Sequence, residues 1–231
     1  MRNIKFITSE ICLYHIYNRG VEKREIFLDD SDYLRFIHNL YEFNGNDAAR
    51  KFSVCENITK INSNKQGNLS VEILCYCLMP NHYHILLRQK RDGGIVQFMH
   101  KLGTGYTMYF NERYQRSGVL FQGKFKAVMI DNEAYFKHIP YYIHSNPLEI
   151  IEPDWKIDGI NDMKKCLQFL ENYRWSSYAD YIGKKNFPSV ISKEFFTTIL
   201  GNNYQYRQQI EEWLKREIIL DNNGVTIDRS F

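Results

Sequence analysis

The residues of this 231-residue chain that could do chemistry lie in two short segments. The first is Asn81-His82-Tyr83-His84, which enters an apolar run. In a β-strand the side chains alternate between faces, so His82 and His84 point one way and Tyr83 the other. Two imidazoles one pleat apart can grip a divalent cation. Taken alone, they are equally well two ordinary strand histidines. The second segment is Tyr141-Tyr142-Ile143-His144-Ser145-Asn146-Pro147, at the end of a helical pattern. Tyr142 and Asn146 are four apart and share a helical face. A phenol can attack a phosphodiester that a cation activates, and an amide oxygen is a further hard ligand. The plainer alternative puts the tyrosines in the core and makes Asn146-Pro147 a helix stop.

A zinc site is another arrangement of the same region. Cys75 and Cys77 share one face of the preceding strand, and Cys-x-Cys followed by His-x-His offers four ligands. Structural zinc motifs place their ligands on turns, whereas small buried thiols are common in strands. The sequence therefore favours core cysteines.

These residues need elements to hold them. Residues 11–18 are β-rich and end at Arg19-Gly20. Asp29-Asp30-Ser31-Asp32 is a helix start, followed by apolar residues at helical spacing to about Asn44-Gly45. The polar stretch 46–68 is expected to be a long connection or insertion. Residues 71–78 and 82–89 are two β runs joined at Pro80-Asn81, since proline has no ladder donor. A long helix is expected over 95–114, with Val96, Met99, Leu102, Tyr106, Tyr109 and Phe110 among its apolar positions. Gly103 and Gly105 weaken it, which suits close packing or approach of a ligand backbone. A strand region is expected over 119–130. A helix capped by Asp131, with Glu133 in its first turn, then runs to Asn146-Pro147. Pro153-Asp154 and residues 156–161 look like a linker. Helices follow at 163–173, 192–200 and 204–217.

Hydrophobic residues make up 44% and charged residues 25%, which excludes a disordered chain. No apolar stretch is long enough for a membrane span. The opening Met1-Arg2-Asn3-Ile4-Lys5-Phe6 lacks signal-peptide features, and 5 cysteines without a spaced framework suit free thiols in the cytoplasm. The net charge of +3 permits nucleic-acid binding without requiring it.

In order along the chain stand Tyr14-His15-Ile16-Tyr17-Asn18-Arg19-Gly20, then Met79-Pro80-Asn81-His82-Tyr83-His84-Ile85-Leu86-Leu87. Ser117-Gly118-Val119-Leu120-Phe121-Gln122-Gly123-Lys124-Phe125-Lys126 and Tyr142-Ile143-His144-Ser145-Asn146-Pro147 follow. This series resembles the single-tyrosine HUH transposases of bacterial insertion sequences, most of all their REP-associated tyrosine transposase relatives. The resemblance covers about residues 11 to 150. Tyr173-Arg174-Trp175-Ser176-Ser177-Tyr178 is similar to the helical extension of longer members. It implies an α+β fold, an antiparallel sheet with packed helices of ferredoxin-like or RRM-like type, plus a C-terminal helical extension. Domains would be 1–152, with an insertion at about 44–69, and 153–231. Tyr142 would attack single-stranded DNA at hairpin-forming repeats, leaving a 5′-phosphotyrosine and a free 3′-hydroxyl. His82, His84 and Asn146 would hold Mg²⁺ or Mn²⁺. Members of the group are homodimers or monomers.

Helical geometry separates neighbouring side chains by about 100°, so the spacing to Asn146 selects Tyr142 over Tyr141. Tyr135 is a further neighbour, and His144 is a bystander or DNA-facing residue. Arg19, Lys23 and Arg24 follow the first strand; Arg88, Lys90 and Arg91 extend the His-x-His strand. Arg113 and Arg116 end the long helix, and Lys124 and Lys126 alternate on the next strand. Together they suit a groove that tracks phosphates, and singly they are solvated charges. Lys164-Lys165 and Lys184-Lys185 are a second DNA contact or solvated loops. Phe121 and Phe125 are assigned to the core. Two other functions fit the same residues: a non-cleaving module for structured single-stranded nucleic acid, and a nickase of replication-initiator or relaxase type.

Overall fold

A computed structural model describes residues 12–45, 69–195 and 201–220 of the chain, with side chains to 215. The connection expected at 46–68 lies outside them, as do residues 196–200 of the helix expected from 192; its described part begins at 194.

Four strands form one antiparallel sheet: β1 (Leu13–Arg19), β2 (Val71–Met79), β3 (His82–Gln89) and β4 (Lys126–Met129). Their order is β2-β3-β1-β4. Helix α1 (Asp30–Glu42) joins β1 to β2, and α2 (Gly94–Arg113) joins β3 to β4. This βαββαβ chain order with that strand order is the ferredoxin-like arrangement expected. β2 and β3 are joined by the two-residue turn Pro80-Asn81, with Met79 paired to His82. They are nearly continuous apolar runs, and both of their faces are covered.

Alternation along the strands sorts two layers. On one face Tyr83 packs against Phe36 of α1 at 5.1 Å between ring centroids, and Phe36 meets Tyr106 of α2 at 4.9 Å. The opposite face carries His15, His82 and His84 beneath α3 (Glu133–Ser145). Gly105 permits the close packing the sequence suggested, because a Cβ there would sit 2.6 Å from the Phe43 ring; at Gly103 the space is open. Val96, expected on the apolar face of α2, is 63% exposed.

Three boundaries differ from expectation. The strand expected over 119–130 is regular only at β4; Phe121 makes a single bridge to Gly20, and both it and the partly buried Phe125 belong to the core as expected. The cap of α3 is Asn132, whose Oδ1 accepts from the Tyr135 amide at 2.8 Å, not Asp131. Ile130 is buried and its amide still bonds Leu13, so the chain leaves the sheet one residue later than a cap at Asp131 requires. The expected linker is a packed turn, α4 (Trp155–Asp158), because Trp155 is buried against Trp213.

Beyond it come α5 (Met163–Asn172), α6 (Tyr178–Tyr181) and α7 (Asn203–Leu220). Trp175, Ser176 and Ser177 lie along the outer edge of β2: the Leu78 amide donates to the Trp175 carbonyl at 2.9 Å, and the Ser177 amide to the Tyr76 carbonyl at 3.0 Å. Tyr181 and Tyr173 donate hydroxyls to the carbonyls of Leu74 and Leu78 at 2.6 and 2.7 Å. An edge that would otherwise invite strand pairing is thereby closed. No helix among the described residues is long and apolar enough to cross a membrane.

Asp29 caps α1, accepting from the Ser31 and Asp32 amides at 2.9 and 3.2 Å. Asp32 is fully buried and accepts from the Leu28 amide, the Tyr109 and Tyr114 hydroxyls and Arg113, which ties α1 to α2. Asp32→Ala should therefore cost about 2–4 kcal/mol, and loss of the exposed cap in Asp29→Ala about 1 kcal/mol. Urea midpoints at unchanged slope measure both; equal costs would mean that Asp32 is no hub.

Candidate active site

Strand register builds the site. Tyr17 pairs with His84 and Arg19 with His82, so Tyr17, Arg19 and the two histidines face the same side. His15, two residues before Tyr17, is on that side too, and its Nε2 lies 2.9 Å from His84 Nδ1. His15 Nδ1 reaches the Tyr135 hydroxyl at 3.2 Å. The His82 and His84 rings stand 5.1 Å apart, edge to face. His82 Nδ1–H donates to Asn81 Oδ1 at 2.6 Å.

Helix α3 lays Tyr142 over this row, its ring 5.5 Å from His84 and 6.0 Å from His15. The chain continues past Ser145 as a 3₁₀ turn, Asn146–Ile150, so Asn146 keeps a helical conformation one turn beyond Tyr142. Its Nδ2 donates to the Tyr142 carbonyl at 2.7 Å. The same side chain acts on the His82 ring and on the Tyr142 hydroxyl. His82, His84, Tyr142 and Asn146, separated by up to 64 positions in sequence, thus form one cluster.

Tyr141 points elsewhere. Its hydroxyl donates to Gln209 Oε1 of α7 at 2.9 Å. His144, expected as a bystander or DNA-facing residue, is fully buried between the hydroxyls of Tyr206 and Ser177, at 2.6 and 2.8 Å. His138 stacks beside Tyr142 at 6.3 Å, and its Nδ1 accepts from Trp213 Nε1 at 3.0 Å.

The electrostatics follow from burial. Desolvation pulls His15 and His82 down to about 3, and the charges of Arg19 and Lys156 add to the fall at His82. His84 lies well below its usual value, first through burial and then through its histidine neighbours. All three rings are neutral at pH 7, the form that carries a lone pair for a cation. Burial pushes the Tyr142 phenol up, Glu149 adds to this, and the Asn146 hydrogen bond opposes it.

Sequence reasoning missed two members of the site. His15 belongs to a quoted motif without a role, because only the register shows that it abuts His84. Lys156 was assigned to a linker, yet its Nζ lies 5.0 Å from the centre of the Tyr142 ring and pairs with Glu149. Tyr17 lies 5.9 Å from His84 and completes the floor. Cys75 and Cys77 are fully buried on β2, where burial raises both thiols, and among the described residues no three His, Cys, Asp or Glu side chains are arranged around a metal.

The proposed DNA cations divide. Arg19 faces the histidines, and Lys23, Arg24, Lys124 and Lys126 are exposed. Lys126 stands in β4 opposite Tyr17, on the site's face and about 10 Å from His84 across two strand spacings, whereas Lys124 precedes the strand instead of alternating along it. Arg116 bonds Asn111 and feels the charge of Arg24. Arg113 forms ion pairs with Asp29 and Asp32 at 2.6 and 2.8 Å, so its charge is matched within the fold. Arg88 and Lys90 pair with Glu72, and Arg91 bonds Ser70 and Gln97. These three sit at the far end of β3, roughly 20 Å from His82 at strand rise, and are not brought to the site.

A family model described as IS200-like transposases matches residues 11–146. Among solved structures, a REP-associated tyrosine transposase bound to a REP hairpin is similar at 11% identity, over 79% of this chain and 85% of that one, with a TM-score of 0.43. No curated protein matches the sequence.

His138 gives the packing around Tyr142 a pH signature. Burial pulls its ring from 6.5 down to about 4. The unfolded chain takes up the proton near 6.5 and the folded chain only near 4. Stability from this ring is therefore intact above 6.5 and falls as pH drops towards 4, by up to about 3 kcal/mol. Gln at 138 still accepts from Trp213 and does not titrate. His138→Gln should make the urea midpoint less pH-dependent between 4 and 6.5, by up to one proton; an unchanged slope would mean that the ring is solvated.

Proposed function

The chain belongs to the IS200-like transposase family, and from that premise we propose that it cuts and rejoins single-stranded DNA through Tyr142, with a divalent cation at His82, His84 and Asn146. The supporting observation is the single cluster in which Tyr142 lies 5.5 Å from the His84 ring while Asn146, one helical turn on, acts on both the Tyr142 hydroxyl and the His82 ring. The family makes it a DNA transposase; the chemistry below is the reading this cluster favours.

The residues fit Mg²⁺ or Mn²⁺. Both imidazoles are neutral and buried, and the Nδ1 of each is held by a neighbour, which would leave the lone pair on Nε2 of each ring to hold a cation. Such outer partners fix the tautomer of a ligating histidine. In that state His84 Nδ1–H donates to His15 Nε2, and His15 Nδ1–H to the Tyr135 oxygen. The Asn146 oxygen is a hard donor, and small divalent cations complete their shell with water and substrate phosphate. When bound, the cation withdraws charge from a non-bridging oxygen of the scissile phosphate.

The protein's own part is to aim the nucleophile. Asn146 lies one helical turn beyond Tyr142 and favours the charged form of its oxygen, and the His15 and His84 rings limit where its ring can lie. The Tyr142 oxygen bonds to phosphorus, the bond from phosphorus to the 3′-oxygen breaks, and a 5′-phosphotyrosine forms. The phenolic proton passes to water, and the 3′-oxygen takes one up to leave as a hydroxyl. Rejoining is the reverse, so no nucleotide is consumed. Residues 1–152 would form the catalytic unit and 153–231 its helical extension, with hairpin-forming repeats as the substrate.

Tyr142→Phe should abolish the covalent protein–DNA adduct and leave DNA binding intact, while Tyr141→Phe should retain most activity and lose only its bond to Gln209. His84→Ala, or chelation of the wild type, should stop cleavage equally. Mass spectrometry of trapped adduct decides the matter. DNA on Tyr141, or full cleavage in excess chelator, would defeat the mechanism, and binding without any adduct would leave a non-cleaving module.

Binding itself should weaken with salt, log K falling linearly with log salt. Replacing Lys124 and Lys126 together by Ala should flatten that slope by about 1, from about 0.7 per phosphate contact on single strands. An unchanged slope would place both outside the DNA path.

A further inference from the structure

Lys156 lies outside the stretch that matches the family model, which ends at residue 146. It is carried by α4, a single turn pinned by the buried Trp155, whose ring packs 6.2 Å from Trp213 of α7. From there its ammonium reaches back over the face of Tyr142, 5.0 Å from the ring centre, and rests on Glu149. Its charge also acts on both His82 and His84.

We propose that Lys156 is a further catalytic residue, a protein-borne positive charge that stabilises the negative charge gathering on the Tyr142 oxygen and the phosphate as the bonds exchange. The inference rests on the tyrosine-transfer reading above. A cation over an aromatic face is attracted by the ring's electron density. That attraction grows as a phenol becomes a phenolate, so it is stronger in the transition state than in the resting protein and lowers the barrier. The pair with Glu149 is 36% and 32% exposed at its two side chains, and pairs reached by solvent are weak enough to be exchanged for a phosphate oxygen. The ammonium keeps its protons throughout and takes no part in the proton balance.

The test uses the full chain and a single-stranded DNA oligonucleotide with a hairpin and Mn²⁺. K156M keeps an unbranched apolar side chain and removes the charge; K156R restores a charge; K156Q serves the same comparison if K156M melts early. At saturating DNA, adduct formation should slow by about 100-fold in K156M and recover at least tenfold in K156R, with DNA affinity within about threefold of wild type. A transition-state role slows both directions alike. Rejoining of isolated adduct with a 3′-hydroxyl strand should therefore slow by the same factor, leaving the equilibrium fraction of adduct unchanged. If K156M weakens binding while its saturated rate stays wild-type, Lys156 only tethers DNA and the inference falls. If cleavage slows while rejoining does not, it falls as well. Wild-type protein that forms no adduct would overturn the tyrosine reading and this inference together, whereas normal adduct formation in K156M overturns this inference alone.

Discussion

The pairing register of β1 with β3 is the constraint on which the site depends. Tyr17 opposite His84 and Arg19 opposite His82 put His15, His82 and His84 on one face. A slip of one residue in β3 would turn both of its histidines into the aromatic layer of Phe36, Tyr106 and Phe121. It would also bring Tyr83 beneath α3. The register is fixed from several directions at once. The two-residue turn at Pro80-Asn81 sets β3 against β2. The Gly20 amide donates to the Asn81 carbonyl at 2.8 Å, and a Cβ at Gly20 would lie 2.2 Å from the Arg24 carbonyl oxygen. Only glycine lets the chain after β1 fold back so closely on the strand end.

Helix α3 answers a different requirement, which is phase. Tyr142 must turn inward while its neighbours face out, and α7 holds those neighbours. His138 meets Trp213, Tyr141 meets Gln209 and His144 meets Tyr206, one polar contact per turn of two antiparallel helices. Rotating α3 by one residue would break all three. His144 is also tied through Ser177 to the strip that closes the edge of β2. The C-terminal helices therefore orient the helix that carries Tyr142 as well as sealing the sheet, although they lie beyond the stretch that matches the family.

The sequence disclosed whatever depended on local periodicity. His82 and His84 on one face follow from a period of two, and Tyr142 with Asn146 from a period near 3.6; both pairings appear in the fold. The βαββ order and most helix limits were legible for the same reason. What was hidden depends on long-range docking. His15 and His84 are 69 positions apart, and nothing in β1 alone says which ring it will touch. Lys156 sits in a polar stretch with one anchor, Trp155, and a single apolar residue has no period. The charge of Arg113 looked available because its partners Asp29 and Asp32 lie more than 80 positions away. Two adjacent capping residues, Asp131 and Asn132, cannot be ranked without knowing that Ile130 still belongs to the sheet.

Charge placement then separates binding from chemistry. The excess of +3 is small, and several basic residues are spent inside the fold on Asp29, Asp32 and Glu72. At the site the balance is reversed: three buried imidazoles stay neutral while Arg19 and Lys156 bring positive charge towards them, with Glu149 as a counter-charge. Neutral rings beside cations disfavour a further proton there and favour an anion. A phosphate entering it would meet charges already fixed in place by β1 and α4, without the cost of gathering them from solvent. The exposed Lys23, Arg24, Lys124 and Lys126 extend the same sign outward from that point. On the proposed reading, a strand of phosphates would be drawn towards the position where Tyr142, two imidazoles and an amide come together.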